Sequence, residues 1–165
     1  MEKILIVDPE KCIACRNCEL ACSFKHVGEF NPIRSRIRSF NYPVTPFPIS
    51  FTSLQCEDAV CSEACPTSAI SRDFTTGAMV IDKEVCEGCE MCILACPFGS
   101  IRLDPQENVA IKCDLCGGDP ECVKFCITGA LQYVEAKDSV RDWWRDFVEK
   151  LQTSKEGIFA AKESL

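Results

Sequence analysis

The sequence has a single histidine, His26, and no second residue placed to act with it as an acid–base pair. It also lacks the glycine-rich loops that cradle phosphates or dinucleotides. The usual parts of a hydrolytic or nucleotide-dependent active site are therefore missing. No apolar run approaches the ~20 residues that cross a bilayer. The first residues, Met1 to Asp8, show neither a long apolar stretch with a small-residue cleavage site nor a twin arginine, so the sequence predicts a cytoplasmic chain. Positive charge is scarce as well. There are 18 Lys and Arg against 25 Asp and Glu, a net charge of −7, which argues against nucleic acid as the main partner. Even the apolar content is thin, because the hydrophobic 47% of 165 residues includes 15 cysteines. Without them it falls to about 38%, lean for a globular core.

Cysteine is what the chain has in excess, at about 9%, a level typical of disulfide scaffolds or metal proteins. The odd count and the expected reducing compartment speak against disulfides and for thiolates on metal. Bound metal would also supply the stability that aliphatic burial does not.

The cysteines fall into four runs. The first is Cys12, Cys15, Cys18 and Cys22, and the third is Cys86, Cys89, Cys92 and Cys96 followed by Pro97. Both have the C-x2-C-x2-C-x3-C spacing of bacterial ferredoxins, in which the fourth cysteine serves a different cluster from the first three. A tetrahedral zinc site asks instead for two close pairs. The second run, Cys56, Cys61 and Cys65 followed by Pro66, and the fourth, Cys113, Cys116, Cys122 and Cys126, are stretched forms of the same pattern. Where the second run should open with a cysteine, Ser53 stands, which accounts for 15 cysteines instead of 16.

The flanks repeat with the runs. Short β-rich segments precede them at 3–7, 47–52, 78–82 and 109–112, and others follow at 33–40, 69–72, 100–103 and 130–134. The repeating unit is strand, cysteine loop, short helix, strand. Two such units make a ferredoxin fold, so four predict an α+β chain of two ferredoxin modules.

In these runs the sequence resembles the four-cluster ferredoxin-type electron-transfer subunits of complex oxidoreductases, such as those of dimethyl sulfoxide reductase, nitrate reductase and formate hydrogenlyase. The resemblance covers about residues 1–135, and the short connections look most like the small iron–sulfur subunits of tungsten aldehyde oxidoreductases and tungsten benzoyl-CoA reductase. It implies that the first run pairs with the fourth and the second with the third, each lending its last cysteine to its partner. One cluster would then use Cys12, Cys15, Cys18 and Cys126, and a second Cys22, Cys113, Cys116 and Cys122. A third would use Cys56, Cys61 and Cys96 with Ser53 in the remaining place, and a fourth Cys65, Cys86, Cys89 and Cys92. An inner module, 46–104, would be inserted in an outer one, 1–45 plus 105–136, with a helical tail at 137–165.

The resemblance thus implies three 4Fe-4S clusters and a fourth site. That site would hold 3Fe-4S on three cysteines, or 4Fe-4S with Ser53, water or a neighbour such as Glu57 or Asp58, or nothing; occupancy is the expectation. Cys22 and Cys126 lack the following proline, having Ser23 and Ile127. Backbone N–H groups around Gly88, Gly117 and Gly118 are expected to donate to sulfur.

The implied function is a non-catalytic relay of single electrons between a ferredoxin or other carrier and a large catalytic subunit containing tungsten or molybdenum. The alternatives are a free polyferredoxin shuttle, or a relay subunit of a hydrogenase or carbon monoxide dehydrogenase. His26 is expected to be structural or exposed. Arg34, Arg36 and Arg38 alternate along an expected strand, either as a solvated edge or as a docking patch. In the tail, Val140, Trp143, Trp144, Phe147, Val148 and Leu151 recur at helical spacing, a stripe for packing on the core or anchoring a partner.

Overall fold

Short segments that each flank a cysteine loop have too few residues for a broad sheet, and they pair locally. The computed structural model describes residues 3–41 and 48–136, without the side chain of Ile49. Its strands are β1 (Lys3–Val7), β2 (Arg38–Phe40), β3 (Ile49–Phe51), β4 (Ile70–Arg72), β5 (Met79–Ile81), β6 (Arg102–Leu103), β7 (Ala110–Ile111) and β8 (Leu131–Glu135). They form four two-stranded sheets, β1 with β8, β2 with β3, β4 with β5 and β6 with β7. The helices are α1 (Asn17–Val27), α2 (Val60–Glu63), α3 (Met91–Ala95) and α4 (Glu121–Lys124). Small sheets and short helices in this alternation make an α+β arrangement of small ferredoxin-like domains.

The chain divides into two compact units, Met1–Val134 and Glu135–Leu165. The expected helical tail at 137–165, with its apolar stripe, lies outside the described residues. Among the described residues no helix is long and apolar enough to cross a membrane.

Two hairpins show the sequence dictating the local fold twice over. In β4–β5, Ile70 faces Ile81 and Arg72 faces Met79; in β6–β7, Arg102 faces Ile111 and Leu103 faces Ala110. Each turns on an aspartate whose carboxylate accepts backbone N–H groups two or three residues on. Asp73 takes the Thr75 N–H at 2.9 Å, and Asp104 takes those of Gln106 at 2.9 Å and Glu107 at 3.2 Å. Each needs a left-handed residue at the far side, Gly77 in one and Asn108 in the other, the two residue types that most readily adopt it.

Two buried clusters hold the unit together. One combines Cys61, Ile70, Met79, Cys92, Ile101 and Ala110, with Cys65, Cys86 and Cys96 packed against it. The other combines Cys18, Cys22, Ile37, Cys122 and Leu131, with Leu5, Val7, Val123 and Cys126 packed against it. Sulfur therefore takes the place that large side chains hold in an ordinary core. Phe24 and Phe30 instead stack on the surface, ring centroids 4.8 Å apart.

The segment after α1 departs from expectation. Instead of one strand over 33–40 there is a 3₁₀ turn, Pro32–Arg34, before the shorter β2. Pro32 presets the turn, and the Asn31 side chain accepts the Ile33 N–H at 3.2 Å. Arg34, Arg36 and Arg38 consequently do not form one solvated face. Arg34 is 6% exposed and donates to Asp104 at 2.8 Å, Glu107 at 2.6 Å, Glu29 at 3.0 Å and Gln106 at 2.9 Å. Arg36 pairs with Asp114. Only Arg38 is substantially exposed, with Glu19 at 4.0 Å.

Candidate metal centres

The loops carrying the cysteines share one backbone device. In Cys12-Ile-Ala-Cys15-Arg, Ala14 and Arg16 are left-handed; in Cys86-Glu-Gly-Cys89-Glu, Gly88 and Glu90 are; in Cys113-Asp-Leu-Cys116-Gly, Leu115, Cys116 and Gly117 are. Left-handed residues placed along a tight loop turn successive N–H groups toward one concave side, suited to anionic sulfur. Gln55, two residues after Ser53, takes the same conformation at the same register (φ 53°). The second run thus keeps the loop although its first cysteine is a serine. Gly88 has a further reason to be glycine, since a Cβ there would lie 2.2 Å from the Asn108 carbonyl oxygen.

All fifteen cysteines are free, and the fold gathers those of different runs. Cys22 lies within electrostatic reach of Cys113, Cys116 and Cys122. Cys65 acts in the same way on Cys92, as do Cys86 and Cys89. Cys96 acts on Cys61, and Cys12 acts on Cys18. Cys126 packs against the cluster containing Cys18, Cys22 and Cys122. Cys15 and Cys89 are exposed and Cys56 is half-buried. Ser53 is buried and accepts the Gln55 N–H at 3.4 Å, whereas Glu57 and Asp58 are exposed.

Burial sets the thiol chemistry. It pushes Cys18, Cys92 and Cys116 up to about 11, helped by negative neighbours, and raises Cys122 further still. Burial also raises Cys22 and Cys61. At Cys65 burial is outweighed by hydrogen bonds from Thr67 and the Ala69 N–H, and at Cys96 by those from Ser100 and nearby N–H groups, so both fall below the ordinary thiol value. Thiols crowded together away from water are costly as anions unless a cation takes their charge.

Donors converge on the sulfurs. Backbone N–H groups reach Cys22 from Arg36 at 3.3 Å, Cys65 from Ala69 at 3.3 Å, Cys86 from Ala110 at 3.4 Å and Cys126 from Leu131 at 3.3 Å. Hydroxyls stand beside others: Ser100 at 3.3 Å from Cys96, Thr67 at 3.6 Å from Cys65, and Ser50 at 3.6 and 3.7 Å from Cys12 and Cys18. The buried Arg36 Nε and one terminal nitrogen of Arg102 have no acceptor among the described residues, and both guanidinium groups lie within electrostatic reach of Cys22. Crowded thiols, inward N–H groups and unpaired buried donors beside them suit anionic iron–sulfur clusters bound through cysteine.

His26 sits in the last turn of α1. It is partly buried, 3.7 Å from Cys116 Sγ and 3.5 Å from Asp114. Sequence reasoning missed Ser50, Gln55 and Lys112, which meet cysteines or their loops from 32 to 58 residues away. For Lys112 there was one local signal, a lysine set directly between an apolar strand and a cysteine.

Comparison with known proteins agrees with this chemistry. Residues 49–136 match the 4Fe-4S dicluster domain family, and residues 5–24 match a 4Fe-4S binding domain. The polyferredoxin-like subunit of aliphatic sulfonate oxidoreductase from Pyrococcus furiosus is 44% identical over 123 residues, 74% of this chain and 70% of that one. The thiosulfate reductase electron transfer subunit PhsB of Salmonella typhi is 36% identical over 154 residues, 86% of this chain and 80% of that one. A chain of the active site complex BamBC of benzoyl coenzyme A reductase aligns with TM-score 0.47 and 27% identity, over 92% of this chain and 89% of that one.

Proposed function

The chain belongs to the 4Fe-4S dicluster ferredoxin family of electron-transfer subunits, and from that premise we propose the clusters it holds and the enzyme it serves. Its function is electron relay by multiple 4Fe-4S clusters, as the non-catalytic iron–sulfur subunit of an oxidoreductase complex whose catalytic subunit is a larger chain.

In this proposal Cys12, Cys15, Cys18 and Cys126 hold one cluster, and Cys22, Cys113, Cys116 and Cys122 a second. Cys65, Cys86, Cys89 and Cys92 hold a third. Cys56, Cys61 and Cys96 hold the last, with Ser53 in the fourth place. The reading is supported above all by the neighbourhood of last cysteines: Cys22 lies with the fourth run and Cys65 with the third. The Ser53 site is occupied, a reading supported by its retained loop conformation at Gln55. Residues 46–104 then form an inner module within an outer one of 1–45 and 105–136. The two cores support this in the main, one drawn from 59–101 with Ala110 joining from beyond the boundary through the β6–β7 hairpin, and the other from 5–37 and 122–131. The β2–β3 hairpin ties 38–40 to 49–51 across the nominal boundary.

When bound, a cluster supplies a centre that gains or loses one electron with little movement of its ligands. The chain's own residues do the rest. Buried isoleucines, Ile37, Ile70 and Ile101, keep water from the sulfurs. N–H groups of Arg36, Ala69, Ala110 and Leu131 donate to cysteine sulfur, stabilising added negative charge and holding each loop in place.

The catalytic partner is a tungsten or molybdenum enzyme and the compartment is the cytoplasm, with a ferredoxin or similar carrier at the other end. This finer reading rests on the resemblance of the four ordered runs to small subunits of tungsten enzymes. Metal analysis of the complex purified anaerobically from its native source tests it. Tungsten or molybdenum co-purifying with iron is the expected result; nickel, or iron alone on a monomer, would refute it in favour of a hydrogenase or carbon monoxide dehydrogenase relay or a free shuttle.

A further inference from the structure

Lys112 is 3% exposed. Its ammonium donates to Gln55 Oε1 at 3.2 Å, to the Cys113 carbonyl at 3.0 Å and to the Met79 carbonyl. Three acceptors use all three protons of an ammonium, whereas a neutral amine has only two to give. Gln55, itself buried, completes the arrangement by donating to the Cys113 carbonyl at 2.8 Å and accepting the Met79 N–H at 2.9 Å. Every polar atom of the pair is satisfied, but each of these acceptors is a neutral oxygen. The groups of opposite sign that face the lysine are Cys113, Cys61 and Asp114, with Arg36 opposing them.

Burying an ammonium costs several kcal/mol even after relaxation, and neutral acceptors recover only part of that. An apolar side chain would fill the same space at lower cost. Anionic sites flanking the ammonium would offset that cost. Lys112 adjoins Cys113 in the fourth run and lies within electrostatic reach of Cys61 in the second, where the proposed outer and inner modules meet.

We propose that Lys112 is a fixed counter-charge shared by the two iron–sulfur sites built on Cys61 and on Cys113, which raises the reduction potential of both and favours electron passage between the modules. The proposal rests on the ligand sets given above. Each site takes up one electron and no proton, supplied in the test by a low-potential dye, so the added charge is met by the ammonium already in place. Lys112 acts through the cysteine ligands and is a positioning and tuning residue.

The test is a dye-mediated redox titration of the cluster-loaded full-length chain, followed by electron paramagnetic resonance. Lys112→Met keeps the stem and removes the charge. The expected result is full iron content, with two midpoints lowered, each by about a tenfold change in the reduction equilibrium, 59 mV for one electron, and at least one other midpoint unmoved. Gln55→Glu leaves the lysine in place and sets a carboxylate against it, so it should lower the same two midpoints. Unchanged midpoints in either iron-replete variant overturn the proposal. So does loss of iron from both, which would make Lys112 a structural tie. A wild-type chain with too little iron for clusters at Cys61 and Cys113 would instead refute the ligand sets, and that is read before any variant is made.

Discussion

Arg34 Nε donates to Asp104 Oδ2 at 2.8 Å across 70 residues of sequence. Both side chains are buried, at 6% and 1% exposure. Burial by itself would raise the Asp104 pKa. Hydrogen bonds from Arg34 and from the N–H groups of Gln106 and Glu107 outweigh it, holding the carboxyl below the usual range. The pair fastens the turn after α1 to the β6–β7 hairpin.

Breaking this pair removes a buried charge-assisted hydrogen bond, while Glu29 and Glu107 still meet the Arg34 guanidinium. Asp104→Asn should destabilise the loaded chain by about 2 kcal/mol. At roughly 1–3 kcal/mol per molar of urea, the anaerobic unfolding midpoint should fall by about 1 M. A midpoint within error of wild type for the variant would show that the pair contributes nothing.

Gly88→Ala should damage one site selectively. The new Cβ would meet the Asn108 carbonyl at 2.2 Å in a left-handed backbone, adding a clash to the ~1–2 kcal/mol that a Cβ costs there. The loop of Cys86, Cys89 and Cys92 must shift, so iron per chain should drop by about one cluster of four. Gly99→Ala, also left-handed but with open space around it, is the control and should retain its iron. Equal iron contents in the two variants would contradict this account of Gly88.

Ser50 lies between Cys12 and Cys18 and is buried. If its hydroxyl donates to their sulfurs, Ser50→Ala removes a hydrogen bond that stabilises the reduced state. One cluster midpoint should move down while iron content and the other midpoints hold. A potentiometric titration in which no midpoint moves, or in which one moves up, would argue against the hydroxyl as a donor.

Ser53→Cys restores the missing thiol to a loop that already has the required backbone at Gln55. The variant should carry about sixteen iron atoms per chain with four all-cysteine sites, and any 3Fe-4S signal in the oxidised wild type should vanish. If the wild type holds only about twelve and the variant no more, the site is not competent to bind iron.

The sequence by itself determined what this chain binds and what it is for. Ligand spacing within a loop is local chemistry: three cysteines two residues apart and a short helix after them can be read from neighbours alone. The β1 segment at Lys3–Val7 and the hairpins around Asp73 and Asp104 follow from equally short-range rules. The same local reading misplaced the arginines after α1. Period-two alternation put Arg34, Arg36 and Arg38 on one open face, and nothing nearby revealed that Asp104 and Asp114, 70 and 78 residues on, would claim the first two. Only the tertiary structure decided that Ser50 stands beside Cys12 and Cys18, that His26 stands beside Cys116, and that a lysine ammonium is enclosed between two cysteine loops. Residue type and spacing can specify a ligand. The charges and donors around it come from distant segments, brought in because buried thiols and buried cations are each costly alone and less so together.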